Sequence, residues 1–196
     1  MDMAKITSVC VFCGAAARID PKFHDLARET GALVARQGWT LVYGGSRTGT
    51  MGTLADGALA ANGKVVGYIP RHLEEREQQH LGITECHVVE TMHERKKKMV
   101  DRADAFVILP GGFGTLDEFF ENITWRQIGL HDKPIVIVNI GGFWNHLLDL
   151  MKNLEATGFI RPENLSLYQV VEDIEQIPAA LAAAAEIRFD PNAKWI

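Results

Sequence analysis

Short apolar runs rich in β-branched residues alternate along this chain with longer amphipathic stretches, and that alternation restricts the fold more than any other feature. The strand candidates are Ile6–Cys13, Thr40–Tyr43, Val65–Ile69, Cys86–Glu90, Ala105–Leu109 and Pro134–Ile140, with a shorter one at Tyr168–Val171. Most hold apolar residues at consecutive positions, as parallel strands covered on both faces do. Between them, Pro21–Gln37, Met51–Ala61, Met92–Ala103, Thr115–Ile128 and Phe143–Thr157 carry helical spacing. Pro21 after Asp20 suits a first helical turn, and Gly38 and Gly63 suit helix ends. The pattern predicts an α/β fold, a single Rossmann-like, doubly wound, mostly parallel sheet with helices on both faces. A chain of 196 residues, 47% of them hydrophobic, fits one domain over 1–196 that ends in a helix and tail from Ala179.

Several function classes fall away on composition. A net charge of −5 argues against a broad electrostatic grip on nucleic acid. No apolar run reaches the ~18 residues that a membrane span needs. The opening MDMAKITSVC lacks a signal-type cleavage site and reads as the approach to a first strand, so the expectation is a soluble, cytoplasmic protein. Cys10 and Cys13 form a C-x-x-C, but in a strand-like run whose two cysteines point to opposite faces. A redox pair usually sits at a helix N-terminus, and a zinc site needs two further ligands that Cys86 and the scattered histidines do not supply. The cysteines read as buried and structural, with no metal and no cofactor expected.

In open sheets of this class, ligands bind beyond the carboxyl ends of the strands. Two strands end there in glycine-rich turns, Tyr43-Gly44-Gly45-Ser46-Arg47-Thr48-Gly49-Thr50-Met51-Gly52 and Leu109-Pro110-Gly111-Gly112-Phe113-Gly114-Thr115. Each opens a helix, so free N–H groups and the positive dipole end face the turn, and Ser46, Thr50 and Thr115 can add hydroxyls. A lone Gly-Gly turn is as readily a tight strand–helix connection; two on one sheet edge favour a phosphate cradle. Thr50-Met51 stands where a P-loop has Lys-Ser/Thr, and Cys13-Gly14-Ala15-Ala16 after the first strand departs from G-x-G-x-x-G. A Walker ATPase and conventional NAD binding are therefore disfavoured.

The second turn leads into Asp117, Glu118 and Glu121, of which Glu118 and Glu121 share a helix face. They either complement the helix dipole or, if a phosphate occupies that end, meet ribose hydroxyls or positive charge developing at a sugar carbon. Met92-His93-Glu94-Arg95-Lys96-Lys97-Lys98-Met99 opens another helix at the same edge. Such a basic run is a solvated face in most proteins, yet Arg95 is placed where its planar fork can reach a phosphate or base.

Together these residues resemble the LONELY GUY (LOG) family of cytokinin riboside 5'-monophosphate phosphoribohydrolases and its AMP-hydrolysing bacterial relatives, also labelled "lysine decarboxylase-like". The P-G-G-x-G-T-x-x-E pattern is complete from Pro110 to Glu118, and M-H-x-R-K matches at Met92-His93-Glu94-Arg95-Lys96. Similarity extends through V-C-V-F-C-G, L-V-Y-G-G, Gly67-Tyr68-Ile69-Pro70, Thr124-Trp125-Arg126-Gln127-Ile128-Gly129, His131-Asp132-Lys133-Pro134 and Gly158-Phe159-Ile160, about the first four-fifths of the chain. The resemblance implies hydrolysis of the N-glycosidic bond of a purine nucleoside 5'-monophosphate, with Arg95 and Glu118 as the catalytic pair. It implies nucleotide contacts from Glu77, Lys96, Gly112, Phe113, Gly114, Thr115 and Thr124, and the binding set is completed by Met92, Glu121, Gly111 and the Gly44-Gly45-Ser46 turn. It also implies a homodimer with the site near the subunit interface. Ser46-Arg47-Thr48-Gly49-Thr50 departs from the smaller, more apolar turn of many members, with Arg47 either adding charge at the phosphate or closing the pocket.

Breaking a ribosyl C1'–N9 bond builds positive charge on the sugar and negative charge on the leaving purine. A carboxylate such as Glu118 would stabilise the first and could orient or deprotonate water, while the glycine cradle anchors the phosphate and positions C1'. Two other readings compete. One is a non-catalytic carrier of a nucleotide or molybdenum cofactor, which has no need of that carboxylate. The other is a pyridoxal-phosphate decarboxylase, for which no lysine stands in a Schiff-base setting.

Overall fold

The carboxyl edge of a parallel sheet organises this molecule. The structure is a computed structural model that describes residues 6–74 and 78–186. Its strands are β1 (Ser8–Phe12), β2 (Thr40–Tyr43), β3 (Val65–Pro70), β4 (Glu85–Val89), β5 (Ala105–Ile108), β6 (Ile135–Val138) and β7 (Gln169–Val171). The helices are α1 (Pro21–Arg36), α2 (Gly49–Ala60), the single turn α3 (Arg71–Glu74), α4 (Met92–Arg102), α5 (Phe113–Gln127), α6 (Asn145–Ala156) and α7 (Ile177–Glu186). The strands lie in the order β4-β3-β2-β1-β5-β6-β7, and each named pair is parallel. From β1 the chain builds outward to β4, then returns to β5 on the other side. The β1/β5 boundary is thus the switch point at which such sheets open a crevice.

Consecutive residues of each central strand pack on opposite faces. Val9, Val11 and Cys13 join Leu33, Leu41, Leu54 and Leu181 under α1, α2 and α7. Cys10 and Phe12 join Met99, Phe106, Phe119 and Met151 under α4, α5 and α6. The two cysteines of the C-x-x-C are therefore on opposite sides of the sheet, as expected from the strand period, and all three cysteines are free thiols. Burial pushes the Cys13 thiol up to about 12 and raises Cys10 well above its ordinary value. The two edge strands, each with one neighbour, are less buried than the central five: β4 alternates in exposure and β7 exposes Val170.

The expected strands and helices begin and end within two residues of the sequence-based expectation, and the larger offsets have identifiable causes. Asp20 caps α1 by accepting from Lys22 N–H at 3.0 Å, with Pro21 in the first turn. At the end of α2 the expected glycine stop is wrong by one residue. Asn62 takes the left-handed conformation (φ 60°), whereas a Cβ on Gly63 would come within 2.6 Å of the Ala35 methyl. Gly63 is there for close packing on α1, and Asn tolerates the turn. α2 and α5 each start two residues early, at Gly49 and Phe113, because the turn glycines themselves enter the first helical turn. The tail beyond Glu186 lies outside the described residues.

Candidate active site

Arg95 and Glu118 come from different helices and meet at the switch point. Arg95 is on the first turn of α4, whose N-cap Thr91 accepts from Glu94 N–H. Its side chain is only 7% exposed, which the open basic face of an ordinary surface helix would not produce. Nε donates to the Tyr68 carbonyl at 3.1 Å and Nη2 to the Gly44 carbonyl at 3.2 Å. The third nitrogen, Nη1, faces Glu118 Oε1 at 3.7 Å, close enough for strong attraction but longer than a direct hydrogen bond. Glu118 sits one turn into α5 and is likewise buried, with its side chain 10% exposed.

The guanidinium explains Gly44. A Cβ at that position would lie 1.9 Å from Arg95 Nη2, so any side chain there displaces the arginine. Ser46 is fully buried, pairs with the Thr48 hydroxyl at 2.7 Å and accepts from Thr48 N–H. At the start of α2, Thr50 Oγ donates to the Gly14 carbonyl at 2.7 Å and Met51 N–H to the same oxygen at 3.2 Å. The polar groups of this first glycine-rich turn are thus engaged with the protein itself, and Gly44, Gly45 and Ser46 lie behind the cavity wall rather than on it.

The second turn is arranged otherwise. The N-cap of α5, Gly112, has no side chain to cap the helix. A Cβ built on Gly112 or Gly114 meets nothing, so both face open space, while Gly111 is required by the Thr115 side chain packed against it. Thr115 Oγ is buried with no hydrogen-bond partner, a cost of about 1–3 kcal/mol that a ligand acceptor would remove. Helix N–H groups, a positive dipole end and an unpartnered hydroxyl converge where an anion would be stabilised.

Between these features lies a cavity of about 560 Å³. Its wall includes Met92, Arg95, Gly111, Gly112, Phe113, Gly114, Thr115 and Glu118 from the sequence-based set. It also includes residues that motif reasoning missed: Cys13, Gly14, Ala15 and Ala16 after β1, Ile19 before α1 and Phe23 in its first turn, Leu73 on α3, and Phe143 before α6. Their signal was position, since all follow strands at the carboxyl edge, but only the glycine-rich turns carried a chemical signature. Phe23 and Phe143 meet edge to face with ring centroids 5.4 Å apart, closing one end.

Lys96 is nearly buried and off the wall, held by Asp117 and Glu121 at 3.0 Å each. Burial by itself would lower its pKa, but the hydrogen bonds to these two carboxylates outweigh it and the net direction is up. Lys96 and Glu121 therefore clamp α4 to α5 beside the Arg95–Glu118 pair. Thr124 is exposed on the next turn of α5. Glu77 lies outside the described residues. Among the described residues, no cluster of three or more histidine, cysteine or acidic side chains could hold a metal ion.

A Rossmann-like parallel sheet with an anion-ready helix end and a buried Arg/Glu pair at its switch point defines the class. Comparison with known proteins gives the family. The family model described as "Possible lysine decarboxylase" matches residues 51–181. A cytokinin riboside 5'-monophosphate phosphoribohydrolase of Rhodococcoides fascians is 46% identical over 89% of this chain and 88% of its own length. Enzymes of the same name from Mycobacterium tuberculosis and Arabidopsis thaliana are 41% and 40% identical, covering 93% and 81% of this chain and 97% and 75% of theirs. The chain belongs to the LONELY GUY family. Among solved structures, molybdenum cofactor binding and carrier proteins of Rippkaea orientalis and Chlamydomonas reinhardtii superpose with TM-scores of 0.70 at 19% and 20% identity. They cover 90% and 92% of this chain and 96% and 98% of theirs, a likeness of fold.

Proposed function

We propose that this protein hydrolyses the N-glycosidic bond of purine nucleoside 5'-monophosphates, adenine or N6-substituted adenine, to free base and ribose 5-phosphate. The observation that carries the reading is the buried Arg95–Glu118 pair facing across 3.7 Å beside the uncapped start of α5. The phosphate binds the N–H groups of α5 and the Thr115 hydroxyl, which sets C1' against Glu118. As C1'–N9 breaks, the Glu118 carboxylate stabilises positive charge on the sugar and orients water for attack at C1'. Arg95, fixed by two backbone carbonyls, needs little reorganisation to meet negative charge on the phosphate or the leaving base. The water hydroxyl ends on C1' and a proton on the purine.

The activity for which the relatives are named and their coverage of both chains support this reading over a carrier, and a carrier would have no use for a carboxylate beside the sugar. Gly44, Gly45, Ser46 and Lys96 then act from behind the wall, by holding Arg95 and joining α4 to α5 through Glu121, while Thr124 lies exposed a turn further along α5. The working form is a homodimer, as the family resemblance implies and sedimentation would test, and the three free thiols suit a reducing, cytoplasmic setting. No helix among the described residues is long and apolar enough to cross a membrane.

The direct test incubates purified protein with AMP and, separately, N6-isopentenyl-AMP, and quantifies base and ribose 5-phosphate by chromatography. Release from the monophosphates but not from the matching nucleosides is expected. No release from either overturns the activity for these substrates; tight binding of a pterin without turnover would favour the carrier.

A further inference from the structure

Arg47 lies in the β2–α2 turn, and it touches neither the cavity nor the Arg95–Glu118 pair. Its side chain instead reaches across to the segment after α3. Nε donates to Gln78 Oε1 at 2.8 Å, and the Arg47 backbone N–H donates to the Gln78 carbonyl at 3.0 Å. The contact continues as an antiparallel bridge between Ser46 and Gln79 and a bond from His80 N–H to the Gly45 carbonyl at 3.0 Å. His80 Nε2 also meets Asp56 Oδ1 on α2 at 3.0 Å. Residues 78–80 are thereby laid along the turn as a strap.

The strap has a strained residue and a load. Gln78 has φ 50°, a left-handed conformation that is costly for a side chain with a Cβ and persists where surrounding contacts hold it. Both Arg47 bonds end on Gln78. Gln79 N–H donates in turn to the Glu74 carbonyl, which ties the strap to α3, and α3 puts Leu73 on the cavity wall. The order of loops along the sheet edge locates that part of the wall. The start of α5 follows β5, while Leu73, Met92 and Met51 follow β3, β4 and β2 on the other side of β1. With the phosphate at α5 and the sugar at Arg95 and Glu118, the base is assigned to this Leu73, Met92 and Met51 end of the wall rather than to the end closed by Phe23 and Phe143.

We propose that Arg47 is a specificity-determining positioning residue: through Gln78 it fixes the strap that sets Leu73 against the base, favouring bases with an apolar substituent. The inference rests on the nucleotide hydrolase reading for the orientation of the ligand. It differs from direct phosphate binding by Arg47, which would weaken all monophosphates alike.

The test uses the full chain as wild type, Arg47→Ala, Gln78→Gly and the double variant, with AMP and N6-isopentenyl-AMP as probes. In Arg47→Ala, KM for the substituted nucleotide should rise about three- to tenfold more than KM for AMP, the size of the one side-chain hydrogen bond removed, with kcat little changed. Gln78→Gly, which tolerates the left-handed backbone, should act in the same direction, and the double variant should be no worse than the worse single. Amide hydrogen exchange at Gln79 and His80 should quicken in Arg47→Ala. An unchanged KM ratio, an equal loss on both nucleotides, or unchanged exchange overturns the proposal. If the wild type releases no base, the hydrolase reading fails on its own, and calorimetric affinities for the same two monophosphates decide the inference by the same ratio.

Discussion

The two glycine-rich turns read alike in one dimension and behave oppositely in three. Both follow a strand, both open a helix, and both offer glycines with neighbouring hydroxyls. In the β2–α2 turn those groups are bound to the protein: Thr50 and Met51 to Gly14, Ser46 to Thr48, and the Gly44 carbonyl to Arg95. In the β5–α5 turn Gly112 and Gly114 face open space and Thr115 Oγ has no partner. The first turn builds the arginine's seat; the second is left able to take an anion. Glycine is needed in both, for close approach of a guanidinium in one and of a ligand in the other.

Substitutions can break or sharpen this contrast. The largest effect is expected at Glu118, where the two turns' products meet. Glu118→Gln should retain nucleotide binding and lose on the order of 10²–10³ in kcat, read by single-turnover base release. Near-normal turnover would remove the carboxylate from the chemistry. Next comes Gly44→Ala, whose methyl collides with Arg95 Nη2. It should lower kcat by about 10²-fold through misplacement of the arginine, although Gly44 touches no ligand. A loss confined to KM would instead make the first turn a binding cradle.

Gly112→Ala supplies the mirror experiment. Its Cβ meets nothing in the protein, so the melting temperature should hold while KM for the monophosphate rises about tenfold from obstruction of the anion. The smallest contrast pairs two threonines. Thr115→Val should weaken monophosphate binding about three- to tenfold without loss of stability, because it removes a hydroxyl unpartnered in the free protein. Thr50→Val should do the reverse and cost about 1 kcal/mol of stability in denaturant titration, because its hydroxyl already serves Gly14. If the two threonines exchanged phenotypes, the roles assigned to the turns would be inverted.

Much of this molecule was legible without coordinates. The run of buried strands, the amphipathic helices between them and the capping of α1 by Asp20 all express local periodicity and local hydrogen bonding, which the chain carries in its order of residues. The placement of both glycine-rich turns and of Arg95 at one sheet edge follows from that alternation. The exposure pattern of β4, the exchange of roles between Asn62 and Gly63, and the wall contributed by Ile19, Phe23 and Phe143 were not legible, because each depends on a neighbour distant in sequence.

The same division runs through the site. Residue order determined that Gly44, Arg95 and Glu118 would reach the carboxyl edge. Only the tertiary structure decided that Gly44 yields space to the guanidinium, that Lys96 closes on Asp117 and Glu121, and that Arg47 turns from the cavity toward Gln78. The physical reason is that a polar group takes whichever partner the packed fold brings within about 3 Å, and sequence spacing limits that choice only within a helix, a strand or a turn.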